Sequence, residues 1–86
     1  MTIHDLKIWP KHFEDVVAGR KRAEVRVNDR GFQEEDILFL REWVPTEEGY
    51  TGRHVYAQIT HVGSFPDGRY VVLSIRLLNQ RAGFGQ

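Results

Sequence analysis

Residues Ile3 to Ile8 alternate: Ile3 and Asp5 fall on one side of an extended chain, His4, Leu6 and Ile8 on the other. A short strand is predicted there. The period then changes. Trp9, Phe13, Val16 and Val17 recur at i, i+4, i+7 and i+8, which is one apolar stripe of a helix. Pro10 stands at the first helical position and Gly19 just past the end, where each residue is favoured. The stripe assigns Trp9 and Phe13 to the core and leaves Lys11, Glu14 and Asp15 facing away.

From Ala23 to Asn28 the chain alternates again, with Ala23, Val25 and Val27 set against Glu24, Arg26 and Asn28. The rule that apolar faces point inward predicts a half-buried strand with the valines in the core and a wholly polar outer face. Asn28-Asp29-Arg30-Gly31 has turn chemistry. Ile37 to Trp43 is apolar on both faces, as in a buried central strand. Val44 to Gly52, with Pro45, Gly49 and Gly52, is expected to be a loop. Arg53 to Val62 is predicted as a long strand with Val55, Ala57 and Ile59 inward. Ser64-Phe65-Pro66-Asp67-Gly68 predicts a tight hairpin turn. Tyr70 to Leu78 follows as a last strand with Val71, Leu73, Ile75 and Leu77 on its core side. One early helix followed by a run of strands predicts an α+β fold: a small, mostly antiparallel β-barrel of about five strands, with the N-terminal helix plugging one end. The expected domain is residues 1–80, with 81–86 as a loose C-terminal tail.

Composition narrows the chemistry. The chain has 86 residues, enough for one domain with a modest core. It contains no cysteine, which excludes disulfides, thiolate metal sites and a thiol nucleophile. Its unbroken aliphatic and aromatic runs, such as Ile37-Leu38-Phe39-Leu40, are no longer than four residues, far short of the ~20 residues of a membrane helix. Met1 to Asp5 carries neither a basic region nor an apolar h-region, so no secretory signal and a cytoplasmic location are expected. The four histidines, His4, His12, His54 and His61, show no i+3 or i+4 pairing, so no metal and no cofactor are expected.

The net charge of zero conceals a segregation. Residues 20–30 hold five basic and two acidic side chains; residues 31–50 hold one basic and six acidic. Within the basic stretch the polar row Glu24, Arg26 and Asn28 repeats every ~6.5–7 Å along the strand, with Lys21 before it and Arg30 after it. Cations suit anionic oxygens, and Glu24 and Asn28 suit base edges. The alternative is a solvated face, or register-fixing pairs of Glu24 and Arg26 with Arg41 or Glu42. Trp43 and Tyr50 flank the expected loop and offer stacking surfaces, with Lys7 and Arg53 as further cations.

These residues also resemble a known family. His4-Asp5-Leu6-Lys7, Gly19-Arg20-Lys21, the run Glu24-Val25-Arg26-Val27-Asn28-Asp29-Arg30-Gly31-Phe32, Asp36-Ile37-Leu38 and Tyr50-Thr51-Gly52-Arg53 resemble an uncharacterised phage- and prophage-associated domain family of the ASCH branch of the PUA-like superfamily. One departure is Glu35, at a position where that pattern has glycine before the aspartate. The resemblance implies a PUA-like pseudo-barrel, a cleft near Lys21, Glu24 and Arg26, and an association with RNA. Some ASCH proteins are amidohydrolases of acetylated cytidine. Lys21 matches their catalytic lysine, but Glu24 occupies the position of their threonine.

The expected function is therefore a non-catalytic nucleic-acid-binding module for RNA or a modified nucleobase. Its expected ligand set is Lys7, Lys21, Glu24, Arg26, Asn28, Arg30, Trp43, Tyr50 and Arg53. Two alternatives stand beside it: a small hydrolase of a modified nucleoside with Lys21 and Glu24 as acid–base pair, and a phage accessory protein that binds a host protein through its acidic stretch.

Overall fold

A computed structural model describes residues 1–78; the expected tail, 81–86, and the expected domain end at residue 80 lie outside the described residues. Among the described residues the order is β1 (Ile3–Ile8), α1 (Pro10–Val17), β2 (Ala23–Val27), β3 (Ile37–Val44), β4 (Gly49–Ser64) and β5 (Tyr70–Leu78). The strands form one mixed sheet in the order β1-β3-β4-β5-β2. β1 runs parallel to β3, and the other pairings are antiparallel. The result is a small α+β half-barrel.

The helix forms where its termini are best served. Pro10 opens it, and Gly19, at φ +80°, closes it. The Gly19 amide donates to Val16 O at 3.0 Å and the Arg20 amide to Asp15 O at 2.9 Å, the two bonds of a Schellman motif. Phe13 and Val16 enter the core, but Trp9 does not: it stands just before the helix and is 58% exposed. Its extended backbone places its side chain outside the helical stripe that the periodicity predicts for it.

The core collects Leu6 and Ile8 from β1, Leu38 and Leu40 from β3, Val55, Ala57 and Ile59 from β4, and Val71, Leu73 and Ile75 from β5. Burying a chain of branched side chains on one face of a curved sheet is the main stabilising contribution. Phe32, in the segment between β2 and β3, joins this cluster. Beside it lies a buried polar pair. His4 Nε2 is 2.9 Å from Asp36 Oδ2, and the Asp36 carboxylate also accepts the Thr2 and Gln33 amides at 3.1 Å each. Burial pushes the Asp36 carboxyl up, but these hydrogen bonds outweigh it and hold the group below the ordinary aspartate value.

Two sequence expectations are corrected here. First, the segment Val44–Gly52 is not one long loop. β3 continues to Val44 and β4 already begins at Gly49, with Trp43 opposite Tyr50 and Val44 opposite Gly49. The turn is confined to 45–48, where Glu48 takes φ +49°. Second, β2 faces the other way. Glu24 is buried and Arg26 half-buried, whereas Val25 and Val27 are 58% and 50% exposed. Glu24 lies opposite Leu73 and Arg26 opposite Val71, both core residues, so the polar row and not the valine row shares the inner face. The reason is position: β2 is an edge strand, and its inner side looks onto the open seam of the half-barrel.

Glu35 explains the departure noted in the sequence. It sits at φ +76°, in the left-handed region that glycine occupies without strain. Its amide donates to Ile59 O at 2.7 Å, which ties this turn to β4 and holds the residue there.

Candidate functional site

The sheet does not close on itself. β1 and β2 are its two edges, and among the described residues no backbone ladder joins them. Arginines span the gap instead. The Arg26 guanidinium donates to Lys7 O at 2.7 Å, and that of Arg30 donates to Asp5 O at 3.1 Å. Both carbonyls belong to β1. An edge strand's unsatisfied acceptors are thus met by side chains from β2 and the turn after it.

This seam opens into a cleft of about 600 Å³, whose lining includes Leu6, His12, Lys21, Glu24, Arg26, Arg30, Phe32 and Tyr70. Glu24 is the most deeply buried of its charged side chains. Its side chain is only 8% exposed. Oε2 accepts from Arg26 Nε at 2.8 Å and lies 2.6 Å from the terminal nitrogen of the same guanidinium. Oε1 lies 3.0 Å from Lys21 Nζ. That ammonium is directed at the Ala23 carbonyl, and Oε1 is left without a hydrogen bond of good geometry. A buried acceptor in this condition is uncommon in native proteins and calls for an explanation.

The residues expected to bind ligand do not form one group. Lys21, Glu24, Arg26 and Arg30 meet at the cleft. Asn28 points elsewhere: its side-chain amide donates to Gly68 O at 3.4 Å, in the β4–β5 turn. Lys7, Trp43 and Tyr50 lie on the opposite, outer face of the sheet, where Lys7 Nζ is 3.8 Å from the centre of the Trp43 ring. The idea that Glu24 and Arg26 pair with Arg41 or Glu42 fails, because β2 borders β5 and not β3.

Arg53 belongs to a separate cluster that the sequence did not reveal. It grips Glu42 with two bonds, Nε to Oε1 at 2.9 Å and a terminal nitrogen to Oε2 at 2.8 Å. The same terminal nitrogen reaches Glu14 on α1 at 2.5 Å, and the guanidinium carbon sits 4.7 Å from the Phe13 ring centre. The Thr51 hydroxyl donates to Glu42 Oε1 at 2.7 Å. Glu42 is 3% exposed and fully bonded. The Arg53 hydrogen bonds hold its carboxyl below the ordinary glutamate value, against burial, with the Thr51 bond adding to the effect. In return Glu42, and then Glu14, hold Arg53 firmly protonated. This is a clamp between helix and sheet. Its partners are 39 residues apart in the Arg53–Glu14 case, and no local sequence signal connects them.

A mixed half-barrel with one helix, and with an ion cluster in the seam between its edges, defines the class of this small α+β domain. The chain belongs to the family described as a domain of unknown function (DUF3850), which matches residues 3–75. It is similar to a protein of Escherichia phage P2, the "Uncharacterized 12.9 kDa protein in GpA 3'region", with 45% identity over 65 residues. That match covers 76% of this chain and 58% of the phage protein, so the chain spans little more than half the length of this relative. The family is thus associated with phages. Among the described residues no helix is long and apolar enough to cross a membrane.

Proposed function

We propose that this domain is a PUA-like module of the ASCH kind that binds a nucleotide unit of RNA, or a modified nucleobase, in the seam cleft without transforming it. The observation that carries the reading is Glu24. It is buried at the cleft, with Oε2 held by Arg26 and Oε1 facing only the Lys21 ammonium at 3.0 Å, outside hydrogen-bond geometry. In the complex an amino or imino N–H of a base edge takes the place of that ammonium as donor. Lys21 beside it, and Arg30 at the cleft wall with a 45% exposed side chain, offer charge to a phosphate or carbonyl oxygen. Most of the cations here are already paired, so phosphate contacts are few and the salt dependence of binding is shallow.

Titration of labelled protein with short RNA and DNA oligomers, followed by amide shifts, tests this. The expected result is shifts centred on Lys21 to Arg30, with Lys21→Ala weakening binding by about tenfold, the size of one charge-assisted contact. Undisturbed amides across that segment at low salt refute the proposal.

A second reading is favoured by one distance, the 3.0 Å between Lys21 Nζ and Glu24 Oε1, which suits an acid–base pair in a hydrolase of acylated nucleosides. Release of acetate from acetylated cytidine that disappears in Lys21→Ala would move the assignment to that reaction.

A further inference from the structure

The outer face of the sheet carries a second constellation, independent of the cleft. Alternation along β3 turns Leu38, Leu40 and Glu42 inward and Phe39, Arg41 and Trp43 outward. The adjacent strands answer with Lys7 from β1 and with Tyr50, His54 and Tyr56 from β4. Among the described residues no element packs over these side chains. Tyr50 and Tyr56 are 42% and 41% exposed, and Lys7 and His54 are exposed as well.

They form a continuous row of paired rings, with Lys7 at one end and Arg41 between the pairs. Lys7 Nζ lies 3.8 Å from the Trp43 ring centre. Trp43 meets Tyr50 edge to face at 4.9 Å. The Arg41 guanidinium covers Tyr50 at 3.8 Å and approaches Phe39 at 5.6 Å. Phe39 stacks on Tyr56 at 4.9 Å with 17° between planes, and His54 stands edge-on to Phe39 at 5.1 Å. One acidic group, Asp5, touches the row, 3.2 Å from Arg41. Glu47 and Glu48 lie beyond its end, in the 45–48 turn. Arg76 adds a further cation beside Gln58, to which it donates at 2.5 Å.

We propose that this outer face is a stacking platform for single-stranded nucleic acid. Three features select that occupant. The excess of cations along the row complements an anionic chain and repels a basic one. Lys7, Arg41 and Asp5 interrupt the apolar surface, which does not suit an aliphatic protein helix. Aromatic planes need accessible base faces, and a duplex hides them. The spacing sets the register: Phe39 and Trp43 are four residues apart on β3, ~13 Å at ~3.3 Å per residue, about four times the 3.4 Å per base of a stacked strand. A base against Trp43 and Tyr50 and another against Phe39 and Tyr56 are therefore not neighbours in a stack, and the nucleotides between them cross Arg41. Cation–π contacts at exposed sites are weak, so Lys7 and Arg41 leave the ring faces for phosphates as bases arrive.

The two tryptophans make a direct test. In Trp9→Phe, Trp43 is the sole tryptophan and reports on the platform. An oligothymidylate of about a dozen nucleotides, within the usual range of single-strand site sizes, is titrated at low salt. The expected result is saturable quenching of Trp43. Phe39→Thr and Tyr50→Thr, in that background, each weaken it by about tenfold, the loss of one stacked base. Lys21→Ala leaves it unchanged, which separates this site from the cleft. A blunt-ended duplex of the same length gives no saturable quenching. If either threonine variant fails to fold by circular dichroism, Arg41→Gln takes its place and lowers affinity and salt slope together. Absence of quenching by the single strand, or quenching insensitive to these substitutions, overturns the proposal. So does concentration-dependent dimerisation in sedimentation that buries Trp43, since a second copy would then be the occupant.

Discussion

Two glutamates of this domain are buried to nearly the same degree, Glu42 at 3% and Glu24 at 6% exposure, and each is held by an arginine. Their situations differ in one respect. At Glu42 both oxygens are bonded, by Arg53 and Thr51, and the partners join α1 to β3 and β4. At Glu24 one oxygen is bonded by Arg26, the other meets only the Lys21 ammonium at 3.0 Å outside hydrogen-bond geometry, and the cluster borders a cleft. A closed ion cluster gives its whole interaction energy to the fold. An open one leaves part of its hydrogen-bonding capacity for something else. That contrast, more than the number of charges, separates the clamp from the candidate site.

Stability measurements give the largest expected effects. Arg53→Ala leaves Glu42 buried beside only a hydroxyl; Arg53 itself is 52% exposed, so solvent screening holds the loss to about 3 kcal/mol, the low end for breaking a buried pair. Arg26→Ala leaves Lys21 next to Glu24 and sacrifices charged hydrogen bonds, for a loss of about 2 kcal/mol. Urea denaturation of the two variants orders them. If Arg26→Ala were the more damaging, the seam would be the structural lock and the cleft reading would fall.

Acid sharpens the same contrast. The folded Glu42 carboxyl titrates below its ordinary value of 4.5, chiefly through Arg53, so its stabilising contribution is present above that value and is lost as pH falls. Arg53→Ala removes the main cause of that depression. The stability gap between wild type and Arg53→Ala is therefore expected to be widest near neutrality and to narrow as pH drops below about 4. A gap that stays constant between pH 7 and 3, by denaturant titration at fixed ionic strength, would show that Arg53 stabilises through packing on Phe13 and not through Glu42.

What the sequence made legible follows from the range of the interactions. The inward residues of β1, β4 and β5 and the limits of α1 rest on local periodicity and on Pro10 and Gly19, and they read correctly. The length of the β3–β4 hairpin did not, because the Trp43–Tyr50 pairing that extends it is a cross-strand contact, invisible to a local turn rule. The Arg53–Glu42–Glu14 clamp is longer in range still. The cleft was legible in part: Lys21, Glu24 and Arg26 stood out as a polar row. Their role in bridging β2 to β1 could not be read, since it depends on which strands become edges. Glu35 is a middle case: it stands where the resembled pattern has glycine, and its φ of +76° is the conformation that glycine suits. Glu35→Gly is expected to stabilise the fold by about 0.5–1 kcal/mol in a thermal melt, the relief of a left-handed conformation less the extra unfolded-state freedom of glycine.

The smallest expected effect bears on the facing of β2, on which the cleft depends. With Val25 and Val27 outward, the double variant Val25→Thr with Val27→Thr keeps β-branched side chains on an exposed strand face, and its stability should stay within about 0.5 kcal/mol of wild type, as for ordinary surface substitutions. With the valines inward, as the alternation alone would have it, two hydroxyls would enter the core without partners at about 1–3 kcal/mol each. Leu73→Ala, opposite Glu24 and fully buried, calibrates the scale with an expected loss of about 2–5 kcal/mol. A loss above about 2 kcal/mol in the valine double variant, more than surface substitutions give, would turn β2 over. It would carry Glu24 and Arg26 out to solvent, where surface ion pairs are worth little and nothing would hold a ligand between the sheet edges.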